Sequence, residues 1–306
     1  VEGGKTVNKE SNSEPYEVVR TDSYDALVKD LEELDDHWVY RAQYSEYELQ
    51  TSLERDCRSS GFDLQKDASD IELNMIRQFS RVYDGDDRQK VQDDTLYCLS
   101  LMRHYGAPTR LLDFTYSKHV ATYFALECAY DNVPKNDLGK PDYKEKRSCA
   151  IWCIKTDDLH HQVEEKYPED KYADVRRLLK ERREDIRRTD ETFKPLYMDN
   201  KYDLVVWENP IQLHTRLHLQ QGVFLCPGNI RKPFMDNLLY LYDYKKTDKI
   251  RKVICNLKPL ALRKAFERCM RMNMTRQSLF PGLDGYARSM SYQFWLYKKL
   301  AKWRKR

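Results

Sequence analysis

The sequence predicts an α+β protein: one compact domain over residues 16–306, with a mixed central sheet flanked by helices and an inserted helical segment at about 156–200. Three observations carry this reading. Cys149-Ala150-Ile151-Trp152-Cys153-Ile154 is apolar on both faces, as a strand in the middle of a sheet must be. Val120, Ala121, Phe124, Ala125, Cys128 and Ala129 recur at helical spacing. So do Tyr172, Val175, Leu178, Leu179 and Ile186, whose helix turns Arg176, Arg177, Lys180, Arg182, Arg183, Arg187 and Arg188 to its other face.

Taken in order, residues 1–15 are polar and rich in Ser, Asn, Glu and Gly, which predicts a disordered tail. Ser23 is placed to cap a helix carrying Leu27, Leu31 and Leu34. His37 to Gln43 reads as a strand, with Val39, Arg41 and Gln43 on one face and Trp38 and Tyr40 on the other. A loop and a short helix follow over Leu49 to Arg58. Ile71, Met75, Ile76 and Phe79 then mark an amphipathic helix, and Asp93 or Asp94 is placed to cap another that carries Leu96, Leu99 and Met102. Strands are expected at Leu204–Trp207, at Val223 and Leu225, and at Lys252–Leu257, and helices around Leu262–Met270 and Ala287–Tyr297.

Composition narrows the function classes. Lys+Arg 53 against Asp+Glu 50 leaves a formal charge of +3, so the global field selects no polyanionic partner. Acidic residues interleave the arginines of the 168–188 helix and neutralise much of its field. The eight cysteines form no C-x-x-C pair and several sit in apolar runs, which predicts free thiols rather than a disulfide framework or zinc site. His214 and His218 stand four apart, but no carboxylate or third histidine accompanies them, and no metal is expected. With a mean hydropathy of -0.84 and no long apolar run, a cytoplasmic protein without a membrane partner is expected.

Chemistry concentrates in one stretch, Met102-Arg103-His104-Tyr105-Gly106-Ala107-Pro108-Thr109-Arg110-Leu111-Leu112-Asp113-Phe114-Thr115. Gly106 and Pro108 turn a helix ending near Tyr105 into an extended run, and Ser117 or Thr115 caps the next helix. Taken singly, these residues read as caps and ion pairs. As a cluster they predict a cleft, lined by Arg41, Gln43, His104, Thr109, Arg110, Asp113, Thr115 and Gln220.

The chain resembles the FRG domain family. Tyr40-Arg41-Ala42-Gln43 is similar to the Phe/Tyr-Arg-Gly strand that names it, with Ala42 in place of glycine. Residues 103–115 are similar to its Gln-His-Tyr-Gly-x-Pro-Thr-Arg-Leu-Leu-Asp-Trp-Thr motif, with Arg103 and Phe114 as the departures. Arg216-x-x-x-Gln220-x-Gly222-x-Phe224 and Leu279-Phe280-Pro281-x-Leu283-x-Gly285 resemble later motifs. The order of an arginine strand, a Thr/Ser strand before a Val-Ala-x-x-Phe-Ala helix, and a Gln-led strand also resembles that of ADP-ribosyltransferases.

That resemblance implies an ADP-ribosyltransferase-like fold and an NAD-consuming enzyme or toxin, of the kind expected in a bacterial or antiphage conflict system. Arg41 and Arg110 would bind phosphate, Tyr105 or Tyr116 would stack on the nicotinamide, and Thr115 and Gln220 would position the ribose. His104 or Asp113 would serve as acid, base or orienter, with a protein or nucleic acid as acceptor. Gly222 stands where the transferases carry a glutamate; Asp113, His104 and Glu208 are the candidates to replace it. Two other readings use the same residues: a nucleotide- or nucleic-acid-binding sensor without turnover, and a nuclease built on His104 and Asp113.

Overall fold

A single mixed sheet organises the chain. The computed structural model describes residues 8–9, 14–44, 47–134, 142–184, 190–210 and 215–297. In chain order these form β1 (Asn8–Lys9), β2 (Tyr16–Thr21), α1 (Tyr24–Glu32), β3 (Trp38–Gln43), α2 (Ser52–Ser59), α3 (Leu64–Val82), α4 (Arg88–Asp93), α5 (Thr95–His104), β4 (Leu112–Thr115) and α6 (Lys118–Asp131). Then come β5 (Arg147–Lys155), α7 (Thr156–Lys166), α8 (Glu169–Glu184), α9 (Asp190–Phe193), a π-helical turn (Lys194–Met198), β6 (Val205–Glu208), α10 (Thr215–Leu219) and β7 (Gly222–Pro227). The remainder is α11 (Phe234–Leu241), β8 (Thr247–Leu257), α12 (Pro259–Arg271), α13 (Arg276–Leu279) and α14 (Leu283–Tyr297).

The strands lie in the order β1-β2-β8-β5-β3-β4-β7-β6. Only the β2–β8 pairing is parallel; the others among the described strands are antiparallel. β5 occupies the interior expected of it. Its Cys149, Ile151 and Cys153 face one core with α1, α6 and α12, while Ala150, Trp152 and Ile154 face a second core with α5, α7, α8 and α11. This is the α+β architecture of a mixed sheet flanked by helices.

The caps follow the sequence. The side chains of Ser23, Asp94 and Ser117 accept from the backbone N–H groups of Ala26, Tyr97 and Val120, each cap stabilising its helix by about 1 kcal/mol. Gly106 adopts φ +87° at the end of α5 and turns the chain toward β4.

The structure departs from these expectations at β2, α11 and Arg182, and other expectations fall outside the described residues. The tail falls mostly outside the described residues, and within it Asn8–Lys9 pairs with β2, a strand whose alternation the sequence reading passed over. α11 was likewise missed. The expected loop after α6 includes residues 135–141, which are not described, and His214 also lies outside the described residues. Finally, Arg182 does not join the solvated face of α8. It is buried, its Nη2 donates to Glu208 Oε2 at 2.9 Å, and the Tyr197 hydroxyl donates to Glu208 Oε1 at 2.6 Å.

No helix among the described residues is long and apolar enough to cross a membrane, and none of their His, Cys, Asp and Glu side chains group in threes or more to hold a metal. All eight cysteines are free, and all but the half-buried Cys128 are buried.

Candidate functional site

The sheet opens between β3 and β4. β3 pairs with β5 from Trp38 to Gln43, and β4 pairs with β7 along its whole length, but β3 meets β4 only at Tyr40 and Thr115. Beyond that contact the strands splay, and a cleft of about 400 Å³ occupies the opening. Its walls come from β3 (Tyr40, Arg41, Ala42), α5 (Ser100, Arg103, His104), β4 (Asp113, Phe114, Thr115), α6 (Phe124, Glu127, Cys128, Asp131) and α10 with the residue after it (Arg216, Leu217, Gln220), closed by Phe280. Such a volume lies in the usual small-ligand range of about 300–1,000 Å³.

Arg41 bridges the opening. Its Nη1 donates to the Asp113 carbonyl at 2.7 Å and lies 3.7 Å from Asp113 Oδ2. The early strand and the 104–115 segment therefore meet. The Asp113 carboxylate is gripped mainly by Arg103, whose Nε donates to Oδ2 at 2.7 Å with Nη2 at 2.5 Å from the same oxygen. Burial opposes the Asp113 charge, but the Arg103 and Arg41 guanidiniums outweigh it and hold the carboxyl below the usual carboxylate range. Asp113 is thus an ionised orienter of arginines rather than a poised acid.

The cation side is in surplus. Arg41 Nε is buried without a hydrogen-bond partner among the described residues. Burial first, then the nearby Arg103 cation, pushes its pKa down to about 10 against the pull of Asp113, and it stays charged at neutral pH. Arg216 packs its guanidinium over Phe280, 4.3 Å from the ring centroid, and burial lowers its pKa also. His104 is pushed below its ordinary value by burial and by Arg216, so it is neutral at pH 7. Glu127 accepts from the Tyr123 hydroxyl at 2.9 Å and from Arg276 Nη1 at 2.7 Å. Burial nevertheless raises its pKa. The Cys128 thiol, raised by burial to about 11, is not a thiolate nucleophile.

Thr115 and Gln220 shape the floor. The Thr115 hydroxyl donates to the Gln220 carbonyl at 2.7 Å and accepts from the Ser117 N–H, while Gln220 Nε2 donates to the Leu279 carbonyl at 3.0 Å. Gly222 pairs with Thr115, and a Cβ there would come within 2.2 Å of Leu217 Cδ1. Position 222 is therefore closed to a side chain unless Leu217 moves.

Of the residues expected in the cleft, the structure brings together Arg41, His104, Asp113, Thr115 and Gln220. Arg110 is not among them. It is fully buried, donates through Nε to both carboxylate oxygens of Glu72 at 3.0 and 2.9 Å, and reaches the Tyr197 carbonyl. Thr109 is buried beside Ser52, whose hydroxyl accepts its N–H at 3.0 Å. Gln43 turns away to donate to the Tyr47 carbonyl at 2.6 Å. Tyr105 stands outside the cleft, 66% exposed. Glu208, committed to Arg182 and Tyr197, is no substitute carboxylate.

Arg103, Arg216, Glu127 and Phe280 are the residues that the sequence reading passed over. Arg103 and Arg216 lay within recognised motifs, and their charge was the available signal. Glu127 sits on an apolar helix without a distinguishing pattern.

Residues 36–133 match the FRG domain, so this segment, about a third of the chain, is similar to that family. The match spans β3 to α6 and so includes Arg41, Arg103, His104, Asp113 and Thr115, while Arg216, Gln220 and Phe280 complete the cleft from beyond it. Comparison with curated proteins and with solved structures returns no match.

Proposed function

We propose that the cleft binds a phosphate-bearing nucleotide, with NAD first, and that the protein is an ADP-ribosyltransferase-like, NAD-consuming enzyme. The observation that carries this is the adjacency of β3, β4 and β7, which brings Arg41, Thr115 and Gln220 to one opening. The Nε of Arg41, without a partner among the described residues, fits a phosphate oxygen, because a buried guanidinium N–H is costly to leave unpaired and a phosphate would satisfy it with a charge-assisted bond. Arg216 offers a second cation with its face already held by Phe280. NAD itself would supply a glycosidic bond whose cleavage leaves positive charge on the ribose. Neutral His104 is suited to receive a proton from an attacking group at neutral pH.

A second reading, nucleotide sensing without turnover, is favoured by one feature. The Asp113 and Glu127 carboxylates are each bound by an arginine, and Gly222 offers none. The nuclease reading draws no comparable support, since Asp113 is committed to Arg103 rather than to His104.

The test is NAD binding by calorimetry and nicotinamide release by the full chain, beside Arg41→Ala and Arg216→Ala. Binding weakened roughly 10- to 150-fold in Arg41→Ala, as loss of a charged hydrogen bond implies, together with release by the unmodified chain, supports the enzyme. Arg41-dependent binding without release supports the sensor. Absence of NAD binding overturns the NAD reading.

A further inference from the structure

A second groove of about 730 Å³ adjoins the cleft and shares His104, Arg216 and Phe280 with it. Its own lining adds Tyr105, Arg276 and the turn at Pro281–Gly282, with Asp284 as an acidic member. Two properties set it apart. Phe280 is in contact with two guanidiniums, Arg216 at 4.3 Å and Arg276 at 3.5 Å from its centroid, so cations are fixed at the boundary between the compartments. Tyr105 meanwhile stands 66% exposed beside His104, ring centroids 5.0 Å apart and nearly perpendicular. A largely exposed aromatic ring lining the same groove as two ordered guanidiniums is a combination suited to nucleobases and backbone phosphates.

Resting on the nucleotide reading above, we propose that this groove binds single-stranded nucleic acid as the acceptor, with a base stacked on Tyr105 and a phosphate against Arg216 and Arg276. An acidic peptide would use the arginines but would gain little from Tyr105, which is why the nucleic acid is favoured. The arrangement sets the acceptor on one side of His104 and the donor cleft on the other. In the transfer, a lone pair of the acceptor forms the bond to ribose C1′ and the C1′–nicotinamide bond breaks with its electrons on nicotinamide. The acceptor's proton passes to a ring nitrogen of His104.

The groove is tested without turnover, by fluorescence anisotropy of a labelled 12-nucleotide single strand titrated with the full chain, Tyr105→Ala and Tyr105→Trp. Tyr105 has an exposed ring, so neither variant is expected to disturb folding, which a thermal melt verifies. The expected result is binding that Tyr105→Ala weakens about tenfold and Tyr105→Trp preserves. With two phosphate contacts it also weakens about sevenfold between 50 and 200 mM salt. NAD binding by Tyr105→Ala remains that of the unmodified chain.

No oligonucleotide binding, binding indifferent to Tyr105, or Tyr105-dependent binding of a poly-glutamate peptide in place of the oligonucleotide each overturns the proposal, whatever NAD does. Tyr105-dependent oligonucleotide binding by a chain that does not bind NAD sustains the groove as a nucleic-acid site and removes the NAD reading alone.

Discussion

Arg110 and Arg41 show how differently two arginines of one predicted site can be used. Arg110 shares a fully buried ion pair with Glu72, so Arg110→Ala strands a carboxylate in the core. It is expected to cost about 3–5 kcal/mol in urea unfolding, whereas Arg41→Ala at the cleft leaves the unfolding free energy within about 1 kcal/mol of that of the unmodified chain. Sequence alone could not separate them, because Glu72 lies on an amphipathic helix where a glutamate reads as solvated. Asp113 makes a further prediction. Its carboxyl is held below the usual range in the folded chain, so it stabilises the fold above the unfolded value of about 4. That contribution is lost as pH falls through the lower folded value. Urea midpoints measured from pH 5.5 down to pH 3 are therefore expected to fall more steeply for the unmodified chain than for Asp113→Asn. Because Asp113 is 40% exposed, solvent screening limits the difference to about 1 kcal/mol.

Turns that aim the site's side chains divide into those that need backbone freedom and those that need space. Gly106 has φ +87° and nothing within 4 Å of where an added methyl would sit, so Gly106→Ala is strained through its backbone alone, by about 1 kcal/mol. Gly285 is different: an added Cβ would fall 1.8 Å from the Phe280 carbonyl oxygen. Gly285→Ala must push apart the turn that carries Phe280, and with it the ring on which Arg216 and Arg276 rest. Thermal melts are expected to show the larger loss for Gly285→Ala, and nucleotide affinity to fall with it but not with Gly106→Ala. The Gly106 bend was legible because glycine and Pro108 punctuate a helix end. Gly285 stood out only as part of a motif resemblance, since the carbonyl it must clear belongs to a residue five positions earlier.

For the molecule as a whole, the sheet interior was the most legible part. The doubly apolar run of β5 could only be central, and the two cores on its faces follow from alternation. The cleft was legible as a cluster but not as an opening, because the splay of β3 from β4 depends on a register that no local pattern encodes. The buried links from Arg110 to Tyr197, and from Tyr197 to Glu208 and Arg182, join the 104–115 segment to the helical segment after β5. They also explain why residues 156–184 and 190–198 pack as part of the body. Asp113, finally, serves three elements at once: its carbonyl receives β3's Arg41, its carboxylate receives α5's Arg103, and its backbone pairs with Phe224 of β7. An anion that draws Arg41 toward itself must renegotiate all three. Amide hydrogen exchange along α5 is expected to slow on nucleotide addition, although most of that helix never touches the ligand. In Asp113→Asn the slowing is expected to shrink toward nothing, which would make one strand residue the relay between an occupied cleft and the stiffness of the helix behind it.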